Sequence, residues 1–416
     1  MKKNEKGTKL YINPYIFFAF SFLITLIFYS LNYSDLNERL GMKIYLFLIV
    51  AIGINLFFYC ISKRRWGKFT NVRSYADSRY PARKYLYGSI FFLFLGLLEV
   101  IYSGGFPILG QVGYKDYGVP TLHVILVCCD SFFILNIVKR SLKTKSEILK
   151  RKQIFSGTIA VLPLVFGLSR GTLVILLIGM AMMYFSSKTK SMPFKISVLI
   201  SALILLGIYV FGIVGNYRMN HDYGNKESVE KSTLILSIGK ANQKFQDSRI
   251  PKPFFWTLIY DTSPLSNFRE NTNLVNIKSS DITGERFLEY TVVNFMPDVV
   301  SKRVYPTYTS DFKPWQITQE FTAASCWTIP YLMLGWYGVC GFLIFELVFP
   351  FIYLELIRRL AFQYFDIAIA LLSTMYILMP FSNFFSFSAL SLQLLLPFLC
   401  ALFERRSPKE IEYPKK

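Results

Sequence analysis

Two kinds of side chain in this chain could carry chemistry. The first are arginines outside the long apolar runs: Arg170, Arg218, Arg249, Arg269, Arg286 and Arg303. Guanidinium keeps its charge and grips phosphate oxygens bidentately, so fixed arginines suit an enzyme that expels a lipid diphosphate. Arg170 and Arg218 stand foremost. Arg170 lies at a tight turn between two short apolar segments with no acid nearby, and Arg218 follows directly on an apolar run. The simpler alternative for each is an interface anchor reaching lipid headgroups. The second kind are proton carriers. There are only two histidines, His123 and His221, and Glu99 sits in an apolar run just before Ser103-Gly104-Gly105-Phe106-Pro107. An ionisable group at membrane depth is a functional candidate by default, although packing against a polar neighbour would also explain it. Asp130 and Glu346 lie deeper in apolar runs, where helix-to-helix hydrogen bonding serves as well. Loop aromatics (Trp256, Tyr260, Tyr290, Tyr305, Tyr308, Trp315, Trp327) could stack on sugar rings, with Tyr305 and Trp315 the chosen binding candidates, but Trp and Tyr also form belts at membrane interfaces.

The elements that must position these groups are apolar helices. Of 416 residues, 53% are hydrophobic and only 17% charged, too apolar for an ordinary soluble protein. Runs of about twenty apolar residues recur, each long enough to cross a roughly 30 Å hydrocarbon core. Ten spans are expected, at about 14–33, 42–62, 85–102, 120–138, 154–169, 171–186, 196–214, 331–355, 366–381 and 388–403. The fold class is therefore an all-α polytopic membrane protein with one long extracytoplasmic loop. It divides into an N-terminal transmembrane bundle over 1–215, a loop over 216–330, and a C-terminal part with three helices and a tail over 331–416.

Orientation follows from charge. The N-terminus, the loops 63–84, 139–152 and 188–195, the pair Arg358-Arg359 and the tail hold 29 of the 46 basic residues. The short opposite loops hold three: Arg39, Lys115 and Arg170. Basic loops stay inside, so both termini are expected in the cytoplasm, with an uncleaved N-terminal signal anchor. The segment 154–186 has basic flanks on both sides, so it must cross an even number of times, as two short helices turning at Ser169-Arg170-Gly171. The long loop, with 13 basic and 12 acidic residues, does not read as a separate globular domain. An amphipathic helix is expected over Ser228 to Phe245 and an interfacial or re-entrant segment over Pro251 to Pro264.

Several classes are excluded. The charge of +20 sits in short loops between spans rather than on a nucleic-acid-binding face. The six cysteines have no metal-like spacing and read as packed thiols. There is no phosphate-binding Walker loop, dinucleotide turn, His/Cys cluster or Asp-x-Asp pair, so neither cofactor nor metal is expected.

Four short motifs and the layout together resemble the Wzy-type oligosaccharide repeat-unit polymerases, the O-antigen or capsule polymerases of bacteria. Glu99 with Gly104-Gly105-Phe106-Pro107-Ile108-Leu109, continued by Gly118-Val119-Pro120, is similar to the family's acidic residue and GG-x-P-L-L element, with Phe106 where many members carry Ile or Val. Leu168-Ser169-Arg170-Gly171 resembles the arginine between two helices. Gly215-Asn216-Tyr217-Arg218 resembles the entry to the large loop, and Thr322 to Gly341, with Gly335-Trp336-Tyr337-Gly338, its exit. The resemblance implies a GT-C-like fold and a metal-independent, inverting glycosyl transfer on the outer face of the membrane. A growing glycan on undecaprenyl diphosphate would pass to a lipid-linked repeat unit, beside a separate chain-length regulator. The resemblance covers Glu99, Arg170 and Arg218; together with the reading of residue types above, the expected catalytic set is Arg170, Arg218, Arg286, His221 and Glu99, and the expected substrate-binding set is Arg249, Arg269, Arg303, His123, Tyr305 and Trp315, while no residue matches the family's general base. An O-antigen ligase shares the layout, and a lipid-linked oligosaccharide flippase or an export scaffold are the readings from other classes, weakened by the lack of an internal repeat.

Overall fold

A computed structural model describes residues 12–66, 82–113, 116–167, 170–187 and 194–405. Among them every regular element is helical. Seven helices precede the long loop: α1 (Pro14–Leu31), α2 (Met42–Trp66), α3 (Ala82–Ser103), α4 (Leu122–Lys143), α5 (Glu147–Phe166), α6 (Arg170–Ser187) and α7 (Phe194–Asp222). The loop carries α8 (Leu234–Ile238), α9 (Gln243–Gln246), α10 (Phe254–Leu274), α11 (Gly284–Phe295), α12 (Asp298–Val304) and α13 (Tyr308–Asp311). The chain closes with α14 (Thr328–Leu360), α15 (Phe365–Leu378), α16 (Ser388–Ser391) and α17 (Leu396–Arg405). Six helices are long and apolar enough to cross a membrane: α1, α2, α3, α4, α7 and α14.

Local sequence explains the helix starts. The Asn13 side chain accepts the Tyr15 N–H, with Pro14 in the first turn, and Ser146 and Thr283 cap α5 and α11 in the same way. Each such cap satisfies a backbone donor that the first turn leaves open. α15 is apolar on every face and buried on nearly all of them, the mark of a helix at the centre of a bundle. It packs on α1, α6, α14 and α4. α7 is the opposite case. Leu203, Ile204, Leu205 and Leu206, covering every direction around one turn, are each 57% exposed, as suits a helix bathed in lipid.

Contacts define two ends of the bundle. Arg65 meets Glu355 at 3.1 Å, Lys143 meets Asp366 at 2.8 Å and Gln363 meets Glu404 at 2.8 Å, all at the end rich in basic residues. At the other end, the loop bridges back onto the helices: Ser34 pairs with Ala241, and Arg303 reaches Thr121. α5 ends at this loop end, where Gly167 packs against Tyr117. α5 starts seven residues before the expected span and runs helical through Lys150, Arg151 and Lys152, since charged residues support a helix even where they cannot enter lipid.

The long loop is stitched to the bundle. α10 packs on α1, α7 and α14. Thr25 of α1 donates to Asp261 (3.2 Å), Asn37 to Thr262 (3.1 Å) and Ser266 to Asn37 (2.9 Å). Buried Asn267 and Asn271 donate to the carbonyls of Phe321, Ala323 and Trp315. The stretch expected as an interfacial or re-entrant segment, Pro251 to Pro264, holds the first half of α10. A single helix runs through Pro264, which loses one backbone hydrogen bond there, and buried side-chain amides hold the surrounding backbone. The helix expected over Ser228 to Phe245 is absent as such. It breaks into α8 and α9 at Gly239, whose α-carbon abuts the Phe255 ring, and at Lys240, which takes a left-handed φ of 46°.

α14 is bent. Leu334 and Gly335 leave the helical region, Gly335 at φ 61°, a conformation that costs a residue without Cβ little. Carbonyls around the bend find partners in the loop: Arg286 donates to Leu332 (3.1 Å) and the Tyr290 hydroxyl to Gly338 (2.7 Å).

Candidate functional site

The strongest cluster forms at the loop end, between α3, α4 and the α5–α6 turn. Glu99 lies one turn from the end of α3 and is 6% exposed. Its Oε2 lies 2.9 Å from Nδ1 of His123, at the start of α4, while its Oε1 is buried without a partner. A proton must lie between Nδ1 and Oε2. With that proton on the imidazole, Nε2 presents a lone pair, and the carboxylate fixes both tautomer and ring orientation. The Tyr117 ring meets the imidazole edge-on, with centroids 5.4 Å apart. Burial first, and then the Glu99 carboxylate, push the Tyr117 phenol up to about 12, so Tyr117 stays neutral.

The segment before α4 is shaped to make room for this pair. Gly118 has φ 84°, and a Cβ there would lie 2.7 Å from the His123 ring. Its N–H is held by the Ser103 hydroxyl at 2.8 Å, so the Ser103-Gly104-Gly105 turn at the end of α3 secures the residue that admits the histidine. Thr121 adopts φ 70°. A β-branched residue at positive φ is strained, and such strain concentrates at functional sites. Its hydroxyl accepts from Nη2 of Arg303 at 2.8 Å, while Nη1 of Arg303 donates to Val299 of its own helix. Three of the five guanidinium N–H groups stay uncommitted beside the cluster.

Gly167 completes the surroundings. A Cβ there would lie 3.0 Å from Tyr117 and 3.7 Å from His123. Arg170 opens α6 three residues later, so its α-carbon lies within about 11 Å of Gly167 by chain length alone. Leu168, Ser169 and the Arg170 side chain lie outside the described residues.

The remaining candidates sit elsewhere. Arg218 and His221, at the end of α7, are exposed and turned to Asp222, at 3.4 and 3.6 Å. Arg269 is 7% exposed, with its fork spent on Glu38 (2.8 Å) and Glu270 (3.0 Å). Arg286 lies over the Phe312 ring and closes the α14 bend. These two arginines serve the folded loop, a use that linear sequence cannot separate from phosphate binding. Tyr305 ends α12 and is half-buried; Trp315 is 61% exposed, with its backbone bonded to Asn271. Trp256, Tyr290 and Trp327 are neither sugar platforms nor an interfacial belt, since all three are buried in protein. Arg249 lines a separate cleft. Asp130 is buried with no partner on either oxygen, and Glu346 is buried among Tyr15, Tyr376 and Asn55. All six cysteines are free. Among the described residues, no three His, Cys, Asp or Glu side chains are grouped to hold a metal ion.

The sequence had named Glu99, His123, Arg170 and Arg303 separately, with Glu99 alone among the proton carriers placed by its depth. Tyr117 and Thr121 were missed. Their only signal was position, within two residues of Gly118 and His123.

No protein-family model matches the chain, and no curated protein or solved structure is significantly similar to it.

Proposed function

We propose that this membrane protein is a glycosyltransferase that polymerises oligosaccharide repeat units carried on undecaprenyl diphosphate, working at the loop end of its helical bundle on the extracytoplasmic side. The observation that carries this proposal is the pairing of buried Glu99 with half-buried His123, one imidazole nitrogen held and the other open, with Arg303 beside it. The acceptor hydroxyl gives its proton to Nε2 of His123, and Glu99 stabilises the imidazolium that forms. The hydroxyl oxygen forms a bond to the anomeric carbon of the donor glycan as the bond to undecaprenyl diphosphate breaks. Arg303 and Arg170 offset the charge that develops on the departing diphosphate, the kind of stabilisation that is usually the largest catalytic term. The proton acceptor at Nε2 of His123 and the cations thus serve opposite ends of one displacement.

The frame supports the same picture. A ten-crossing arrangement with both termini inside puts the basic end in the cytoplasm and leaves the loop, with α10 wedged among α1, α7 and α14, as a roof over the helices. The test is reconstitution. The purified protein in proteoliposomes, given an undecaprenyl-diphosphate-linked repeat unit, should yield a ladder of products and free undecaprenyl diphosphate. A lipid-linked unit that merely changes leaflet, with no elongation, would mean a flippase; transfer only to a lipid A core would mean a ligase.

A further inference from the structure

A second site, separate from the Glu99–His123 cluster, lies on the long loop. An open cleft of about 730 Å³ is bounded by α8, α9 and the segment leading into α10. Its lining includes Lys240, Arg249, Lys252, Ser237 and Ser248, with Asp35 as the one acid. That is three cations to one anion in a space large enough for a phosphorylated headgroup.

These cations differ from others on the same loop. Arg218, Arg269 and Lys302 are matched to carboxylates, and Arg286 and Arg303 to carbonyls or a hydroxyl. The Lys240, Arg249 and Lys252 side chains take part in no hydrogen bond or ion pair among the described residues. Lys252 does lie in the field of Glu227, which is itself tied to Thr233. The cleft also has a telling neighbour. A Cβ at Gly212 of α7 would collide with the Pro253 carbonyl, so the residue after Lys252 touches α7 at Gly212. From Phe194 to Gly212 a helix rises about 27 Å, close to the roughly 30 Å of a hydrocarbon core. The cleft therefore lies beside a helix long and apolar enough to cross a membrane.

We infer that this cleft binds a phosphate group carried on a lipid, through Lys240, Arg249 and Lys252. Three cations lining one open cleft match the charge of a phosphate monoester better than that of a zwitterionic headgroup, and α7 beside the cleft would bring a lipid anchor within reach.

The test uses the full-length protein in a non-ionic detergent, with bound lipid counted by native mass spectrometry. Phosphatidic acid is the probe and phosphatidylcholine the comparison. Wild type should hold one phosphatidic acid about tenfold or more tightly than the Lys240→Gln/Arg249→Gln/Lys252→Gln variant, and high salt should erase the difference, since exposed charges are screened. The Lys240→Arg/Arg249→Lys/Lys252→Arg variant should keep the binding. If the neutral triple variant does not fold, the single Arg249→Gln change should still weaken retention about threefold. Free diphosphate that fails to displace the lipid supports the lipid-borne ligand; free diphosphate that displaces it readily assigns the same cations to a soluble phosphate. Equal retention by wild type and the neutral variants, or equal retention of phosphatidylcholine and phosphatidic acid, overturns the proposal.

Discussion

Glu99→Gln should disable elongation while leaving the protein folded. The carboxylate lies 2.9 Å from Nδ1 of His123, with side-chain exposures of 8% and 25%, so water screens the pair only in part. Two unit charges about 4 Å apart at an effective dielectric of 20 interact by about 4 kcal/mol. That is the stabilisation an imidazolium would lose in the glutamine variant. It corresponds to roughly 10²–10³-fold in rate, within the range of roughly 10²–10⁴ expected of a positioned base. A second effect acts in the same direction. Should the amide nitrogen face Nδ1, the imidazole proton moves to Nε2 and the lone pair there is gone. The assay is single-turnover elongation of a lipid-linked repeat unit in proteoliposomes, with thermal melting of the same preparation. Melting should change by only a few degrees, because the amide fills the same space. Activity within threefold of wild type would refute the base assignment, whatever the melting curve.

Further outcomes follow from individual contacts. Gly118→Ala, at φ 84° and against the His123 ring, should cost about 1–2 kcal/mol in stability and lower elongation more than tenfold, read as melting temperature and product ladder. Arg303→Ala should cut elongation by about 10²-fold, as losing one charge-stabilising donor does elsewhere, whereas Arg218→Ala, exposed and joined only to Asp222, should stay within a few-fold; the reverse order would move the diphosphate site to the end of α7. Burial pushes the Asp261 carboxyl up to about 7, with the Thr25 hydroxyl bond working against it. The folded state therefore holds a proton that the unfolded chain releases near pH 4, and stability contributed by Asp261 is lost as pH rises through about 7. The loss is at most about 4 kcal/mol. Asp261→Asn should raise the melting temperature at pH 8 more than at pH 5, and an equal gain at both would show that burial does not govern this carboxyl.

Much of the frame was legible because helix-forming apolar runs carry their own signal. Helices occur at each of the ten expected places, with the last interrupted between α16 and α17. Two short helices, α5 and α6, stand where parity of the basic loops required a pair. The loop was not legible in the same way. α10 carries Asn267, Arg269 and Asn271 on buried positions, a pattern that looks solvent-exposed until the partners at Glu38 and at 315–323 are known. At the site, Glu99 was visible from its depth alone, and Gly118 from its place in a motif. Their meeting at His123 depends on a left-handed glycine and a strained threonine, neither of which leaves a periodic trace. Arg269 and Arg286 show the limit of residue type: arginine answers equally well to phosphate, carboxylate and the open carbonyls of a bent helix.

The central claim is elongation of lipid-linked repeat units, and the most direct measurement is the surface glycan of a deletion strain, resolved on a gel beside the complemented strain. Loss of the ladder with a single repeat unit still displayed is the predicted result, because flipping and ligation must both work to display that unit. Loss of every repeat unit, the first included, would contradict the claim and assign the Glu99–His123 cluster to transport or ligation instead.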